Sequence, residues 1–89
     1  MLRITVMAQT ARETTLKVEG WVTDTHVELL AQEVARRLRQ GERLVLDLQE
    51  VRAIDPAGLE LLQHWSGKGL SWRGAGPYVQ MLLEKQGLA

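Results

Sequence analysis

Hydrophobic and polar positions alternate over residues 2–7, "LRITVM". Leu2, Ile4 and Val6 fall on one face and Arg3, Thr5 and Met7 on the other, the period of a half-buried strand. The polar stretch "AQTARET" separates it from "TLKVEGWV", where Leu16, Val18 and Val22 alternate with Lys17, Glu19 and Trp21. The pair predicts a β-hairpin. Gly20 interrupts the inward row, which predicts a bulge or a close backbone approach there.

The period then changes. Val27, Leu30, Ala31, Val34, Ala35 and Leu38 form one helical stripe. Thr25 and Glu28 have capping-box spacing, so the helix is expected to start at Thr25, and Gly41 is placed to end it. "RLVLDL" predicts a strand, and its run Leu44-Val45-Leu46 predicts cover on both faces. Val51 and Ile54 continue the apolar signal up to Asp55. Asp55 then reads as N-cap and Pro56 as first residue of a second helix, with Leu59, Leu61, Leu62 and Trp65 on its buried side and Gly67 and Gly69 as its stop. "LSWR" predicts a short strand. Gly76 and Pro77 open a last helix that turns Val79, Leu82 and Leu83 inward, with Gly87 past its end. The predicted order is β-β-α-β-α-β-α: an α/β fold with a mixed, mostly parallel sheet of four or five strands flanked by helices.

With 89 residues the chain is expected to form one domain over 1–89. It contains no cysteine, so neither disulfides nor thiolate metal sites enter. No signal-peptide pattern or long apolar run appears, and a cytoplasmic location without membrane insertion is expected. Eleven Lys and Arg balance eleven Asp and Glu, leaving little long-range field to draw in nucleic acid. The one basic cluster, Arg36, Arg37 and Arg39, falls at a helix end, where cations complement the dipole.

Candidate chemistry is sparse. Ser66, Ser71, His26, His64, Asp47 and Asp55 contain the residue types of a nucleophilic triad, but no serine lies in a G-x-S-x-G elbow. The histidines lack the spacing of a helical metal pair, so no metal is expected. "SGKGLSWRGAG" resembles a phosphate loop but has Leu62 where the first glycine belongs and Gly69 after Lys68. No cofactor is expected and the chain reads as a non-enzyme. Trp21, on the outward side of its strand, is either part of a partner surface or covered by a helix or the hairpin loop.

"LVLDLQEVRAIDPAGLELL" resembles the STAS domain, the module shared by sulfate transporters and anti-sigma factor antagonists. The matching positions are Leu46-Asp47-Leu48, Val51, Ile54, Asp55, Gly58, Leu59 and Leu62. Gly20, Val22 and Leu30 fit the family's G-x-L-D stretch and the helix after it, and "GPYVQMLLEKQGL" is similar to its closing helix. The family typically has Asp-Ser-Ser-Gly-Leu at the helix opening, and in its phosphorylation switches the second serine is modified by a kinase that also binds the sigma factor. Here Pro56 and Ala57 replace the two serines, Thr23 replaces the aspartate of G-x-L-D with Asp24 beside it, and the helix from Pro56 is shorter than usual. The resemblance implies a regulatory protein-binding module of the anti-sigma antagonist type, engaging an anti-sigma factor or serine kinase through Thr23, Asp24, Asp55, Pro56, Ala57, Gly58 and Leu59. Without a hydroxyl at Ala57 it would bind independently of phosphorylation. The alternative implied is a small STAS subunit docking on the ATPase of an ABC-type phospholipid transport system. Monomer and dimer stay open.

Overall fold

The computed structural model describes residues 1–88. Its elements run β1 (Leu2–Gln9), β2 (Glu13–Val22), α1 (Thr25–Arg39), β3 (Arg43–Ile54), α2 (Pro56–Trp65), β4 (Leu70–Arg73) and α3 (Pro77–Lys85). This is the order read from the sequence. The four strands lie side by side in chain order, β1 antiparallel to β2 and the β2–β3 and β3–β4 pairs parallel, so the sheet is mixed.

Register assigns the faces, because residues directly opposite one another point the same way. Val6 pairs with Leu16, Leu16 with Leu46 and Leu46 with Trp72, one row across the sheet. Val27, Leu30 and Val34 of α1, Leu59, Leu61 and Leu62 of α2, and Val79 and Leu83 of α3 all join the single core cluster built on that face. Two-sided cover of β3, expected from Leu44-Val45-Leu46, is therefore not what forms. Leu44, Leu46 and Leu48 enter the core, whereas Val45 on the other face is only half-buried. The reason is topological: strands added in one direction, β2 to β3 to β4, with right-handed crossovers put both connecting helices on the same side.

β1 is one edge of the sheet, and its alternation is only partly honoured. Leu2 and Ile4 pack against the core, but Val6 is 46% exposed because the helices do not extend over it. Gly20 is a bulge position, with a register shift between it and Trp21. It also meets a close approach: at φ +98, a Cβ here would run into the Met1 carbonyl oxygen.

α1 starts at Thr25, but not by the expected capping box. Asp24 is the N-cap residue and no side chain caps the helix. At the other end Gly41 donates to Leu38 O at 3.1 Å and Glu42 to Arg37 O at 3.2 Å, the paired bonds of a Schellman stop. The end of α3 repeats this with Gly87 to Glu84 O and Leu88 to Leu83 O.

Candidate functional site

The ends of β2 and β3 lie side by side, Val22 pairing with Ile54, so the segments that leave them are neighbours. One leads into α1 through Thr23 and Asp24, the other into α2 through Asp55. A single carboxylate joins them. Asp55 Oδ1 accepts the Gly58 N–H at 2.9 Å, the N-cap bond of α2, and Oδ2 accepts the Asp24 N–H at 2.9 Å. The Asp55 N–H in turn donates to Val22 O at 3.1 Å. The Asp24 N–H first, then that of Gly58, hold the Asp55 carboxyl below its ordinary value, since each bond favours the charged form.

Asp24 is the only non-glycine residue of positive φ among the described residues, at φ 52 and ψ −127. That is the first central position of a II′ turn, closed by His26 N–H to Thr23 O at 3.0 Å. Glycine is the usual occupant, and an L-residue there stores backbone strain. The bond that the Asp24 N–H donates to Asp55 is one of the contacts that hold it.

On this platform Pro56 and Ala57 are the first two residues of α2, and both side chains are exposed. Thr23 is half-buried, Asp24 exposed and Asp55 half-buried. Gly58 and Leu59, included with them in the sequence reading, are buried and do not belong to the exposed part of this surface. Gly58 is where α2 meets the strand ends: a Cβ would lie 2.7 Å from Ile54 Cγ1 and 2.9 Å from Val22 O. Leu59 belongs to the core. The outward set is therefore Thr23, Asp24, Asp55, Pro56 and Ala57.

Trp21, just before this loop, is 54% exposed, so neither a helix nor the hairpin loop covers it. Beside Ala57, α1 and α2 leave a groove lined by Val27, Ala31, Ala57, Leu61 and the rim residues Glu60 and His64. No spacing in the sequence announced it, since it arises from two small residues on different helices.

The residues that might have formed a triad are dispersed. His64 packs edge-on to Trp65 with ring centroids 5.0 Å apart. His26 Nδ1 is buried without a partner. Asp47 Oδ1 accepts the Gln49 N–H at 3.0 Å, and Asp55 is committed to Asp24 and Gly58. Among the described residues no cluster of His, Asp and Glu could hold a metal, and no helix is long and apolar enough to cross a membrane.

Sequence reasoning also missed a polar network at the far end of α1. Thr14 Oγ1 donates to Glu42 Oε1 at 2.7 Å, Arg37 reaches Glu42 at 3.4 Å and Glu33 at 2.8 Å, and Arg36 binds Glu33 at 2.7 Å. The Arg36 bond, followed by that from Arg37, outweighs burial and holds the Glu33 carboxyl below its ordinary value.

A family model described as "Mlab, STAS domain" matches residues 5–89. Among solved structures, the anti-sigma factor antagonist SpoIIAA in its unphosphorylated form superposes with a TM-score of 0.80 at 14% identity, covering 99% of this chain and 82% of that one. The Bacillus cell fate determinant SpoIIAA in its phosphorylated form gives 0.74 at 14% identity over 99% and 85%. An anti-sigma factor antagonist STAS domain from Rhodobacter sphaeroides gives 0.63 at 21% identity over 82% and 86%. At these identities the structural likeness shows the fold. A comparison with curated proteins returned no match.

Proposed function

The chain belongs to the STAS domain family, and on that premise we propose that it is a non-catalytic regulatory module that docks on a protein partner, independently of phosphorylation. The face is the outward set Thr23, Asp24, Asp55, Pro56 and Ala57, of which Asp24, Pro56 and Ala57 are exposed. One observation carries the reading: Ala57 is exposed at the second position of α2, on a helix mouth whose carboxylate is already engaged by Asp24 and Gly58. SpoIIAA, similar in fold, is described in both unphosphorylated and phosphorylated forms. A phosphate at this helix mouth would add about −1.5 to −2 charges beside Asp55. Ala57 has no oxygen to receive one, so the face stays in its unphosphorylated, docking-competent state. The partner that fits is an anti-sigma factor or serine kinase in the cytoplasm.

A second reading is a small subunit seated on the ATPase of an ABC-type phospholipid transport system. The description of the matched family model, "Mlab, STAS domain", supports it, as the likeness to SpoIIAA supports the first. Both readings use the same docking face.

Affinity purification from the native cell, with wild-type and Ala57→Glu baits, tests the shared claim. The expected result is one ATPase-containing partner held by the wild type and lost from Ala57→Glu, whose fold is checked by circular dichroism. A partner retained equally by both baits would contradict it. The partner's own identity, kinase or transporter ATPase, separates the two readings.

A further inference from the structure

The groove between α1 and α2 is open, about 560 Å³ in volume, with Val27, Ala31, Ala57 and Leu61 as its apolar lining. Ala31 and Ala57 keep it empty, because a larger side chain at either position would fill it. Two packed helices ordinarily close over such positions; these leave an apolar trough between them.

Charge around the trough is one-sided. Asp24, Glu28, Asp55 and Glu60 occur on the α1 and α2 segments at this end of the molecule, and no Lys or Arg occurs between Lys17 and Arg36 or between Arg52 and Lys68. The chain as a whole is neutral, so its cations sit elsewhere, with Arg36, Arg37 and Arg39 in the last turn of α1. Arg36, the first of them, is held by Glu33 at 2.7 Å. Glu60 lines the groove, and Asp24, Glu28 and Asp55 stand within three residues of Val27 or Ala57 in the chain. The end of the groove nearest the helix starts is therefore acidic, while Arg36 and Arg39 stand farther along α1 beside Ala31 and Glu28.

We infer that this groove seats an amphipathic helix of the partner protein, its apolar face on Val27, Ala31, Ala57 and Leu61 and its flanking Lys or Arg residues facing Glu28 and Glu60. The inference rests on the reading of Pro56 and Ala57 as a docking face and names what docks there. An apolar trough between two helices matches the apolar stripe of a third, whose backbone is already internally bonded. An extended strand would find no sheet edge here to satisfy its own N–H and C=O groups. The acidic end of the groove selects a cationic helix and repels an anionic lipid surface.

Two synthetic peptides test this by NMR on the isotope-labelled chain. They share one apolar helical face and differ only in carrying Lys and Arg or Glu on its flanks. The basic peptide is expected to shift the amide signals of Val27, Ala31, Ala57 and Leu61, and to bind about tenfold more weakly to the Glu28→Lys/Glu60→Lys variant and at high salt. Both substituted residues are exposed, so the variant's remaining spectrum should be unchanged. Absence of shifts in the groove, or equal binding of the two peptides, would overturn the inference. Neither result would touch the Ala57→Glu bait experiment, which reads the native partner; loss of the docking reading there, with groove binding intact, would be a separate failure.

Discussion

Asp55 and Asp24, 31 residues apart in the chain, are joined by one hydrogen bond, from the Asp24 N–H to Asp55 Oδ2 at 2.9 Å. The same carboxylate caps α2 through Gly58. One side chain therefore fixes both segments of the docking face relative to each other.

Asp55→Ala should destabilise the protein by about 1–3 kcal/mol, the loss of a cap together with a second backbone donor left unpaired. Urea unfolding checks it. The effect depends on pH with a definite sign. The folded carboxyl lies below its ordinary value of 3.8, so its contribution is full above that value and is lost as pH falls through the folded one. The stability gap between wild type and Asp55→Asn should thus narrow on acidification below pH 3.8 and stay constant between pH 5 and 8; a gap constant throughout would refute the assignment.

Asp24→Gly should stabilise by about 1 kcal/mol. Asp24 is held at φ 52 with no side-chain cap bond to lose, and its bond to Asp55 uses the backbone N–H that glycine keeps. A rise in thermal midpoint is the expected result, and a fall would contradict the strain assigned to this position. Partner affinity should decrease at the same time, since the substitution removes a carboxylate of the docking face.

Gly58→Ala should cost about 1–3 kcal/mol through overpacking, since Ile54 Cγ1 and Val22 O stand 2.7 and 2.9 Å from the new carbon. Calorimetric or urea unfolding measures it. An alanine tolerated without loss would mean that α2 can lift from the strand ends at no cost.

Much of this was legible in the residues, and the gaps have physical causes. Val27 to Leu38 announced α1 because six apolar positions at helical spacing admit one solution. Asp55 followed by Pro56 announced α2 because both residues serve helix starts. The α1 start was placed correctly for the wrong reason: a II′ turn at Asp24, which normally asks for glycine, does the work assigned to Thr25 and Glu28. Val45 misled because a three-residue apolar run cannot say which face the helices will choose. Gly58 and Leu59 looked like partners of Ala57 because they adjoin it, yet a helix turns its third and fourth residues toward the core. The groove and the bond from Asp24 to Asp55 depend on residues about 30 positions apart, which no local pattern encodes.

Glu42→Ala should cost about 1–2 kcal/mol, because it strands the hydroxyl of Thr14, which is buried, and removes the longer, 3.4 Å, of the two carboxylate contacts of Arg37, which keeps Glu33. Arg36→Ala, on the exposed side of the same network, should leave stability nearly unchanged. Equal losses in the two variants would contradict this division.

The most direct test of the account is calorimetric titration of the purified native partner with three forms of the chain: untreated, pre-incubated with that partner and ATP, and Ala57→Glu. Equal affinity for the first two, no added phosphate by intact mass, and at least about a tenfold loss for the third is the outcome expected of a face that is always competent to dock. Phosphate on the chain that weakens binding, or an Ala57→Glu variant that binds as tightly as wild type, would contradict it.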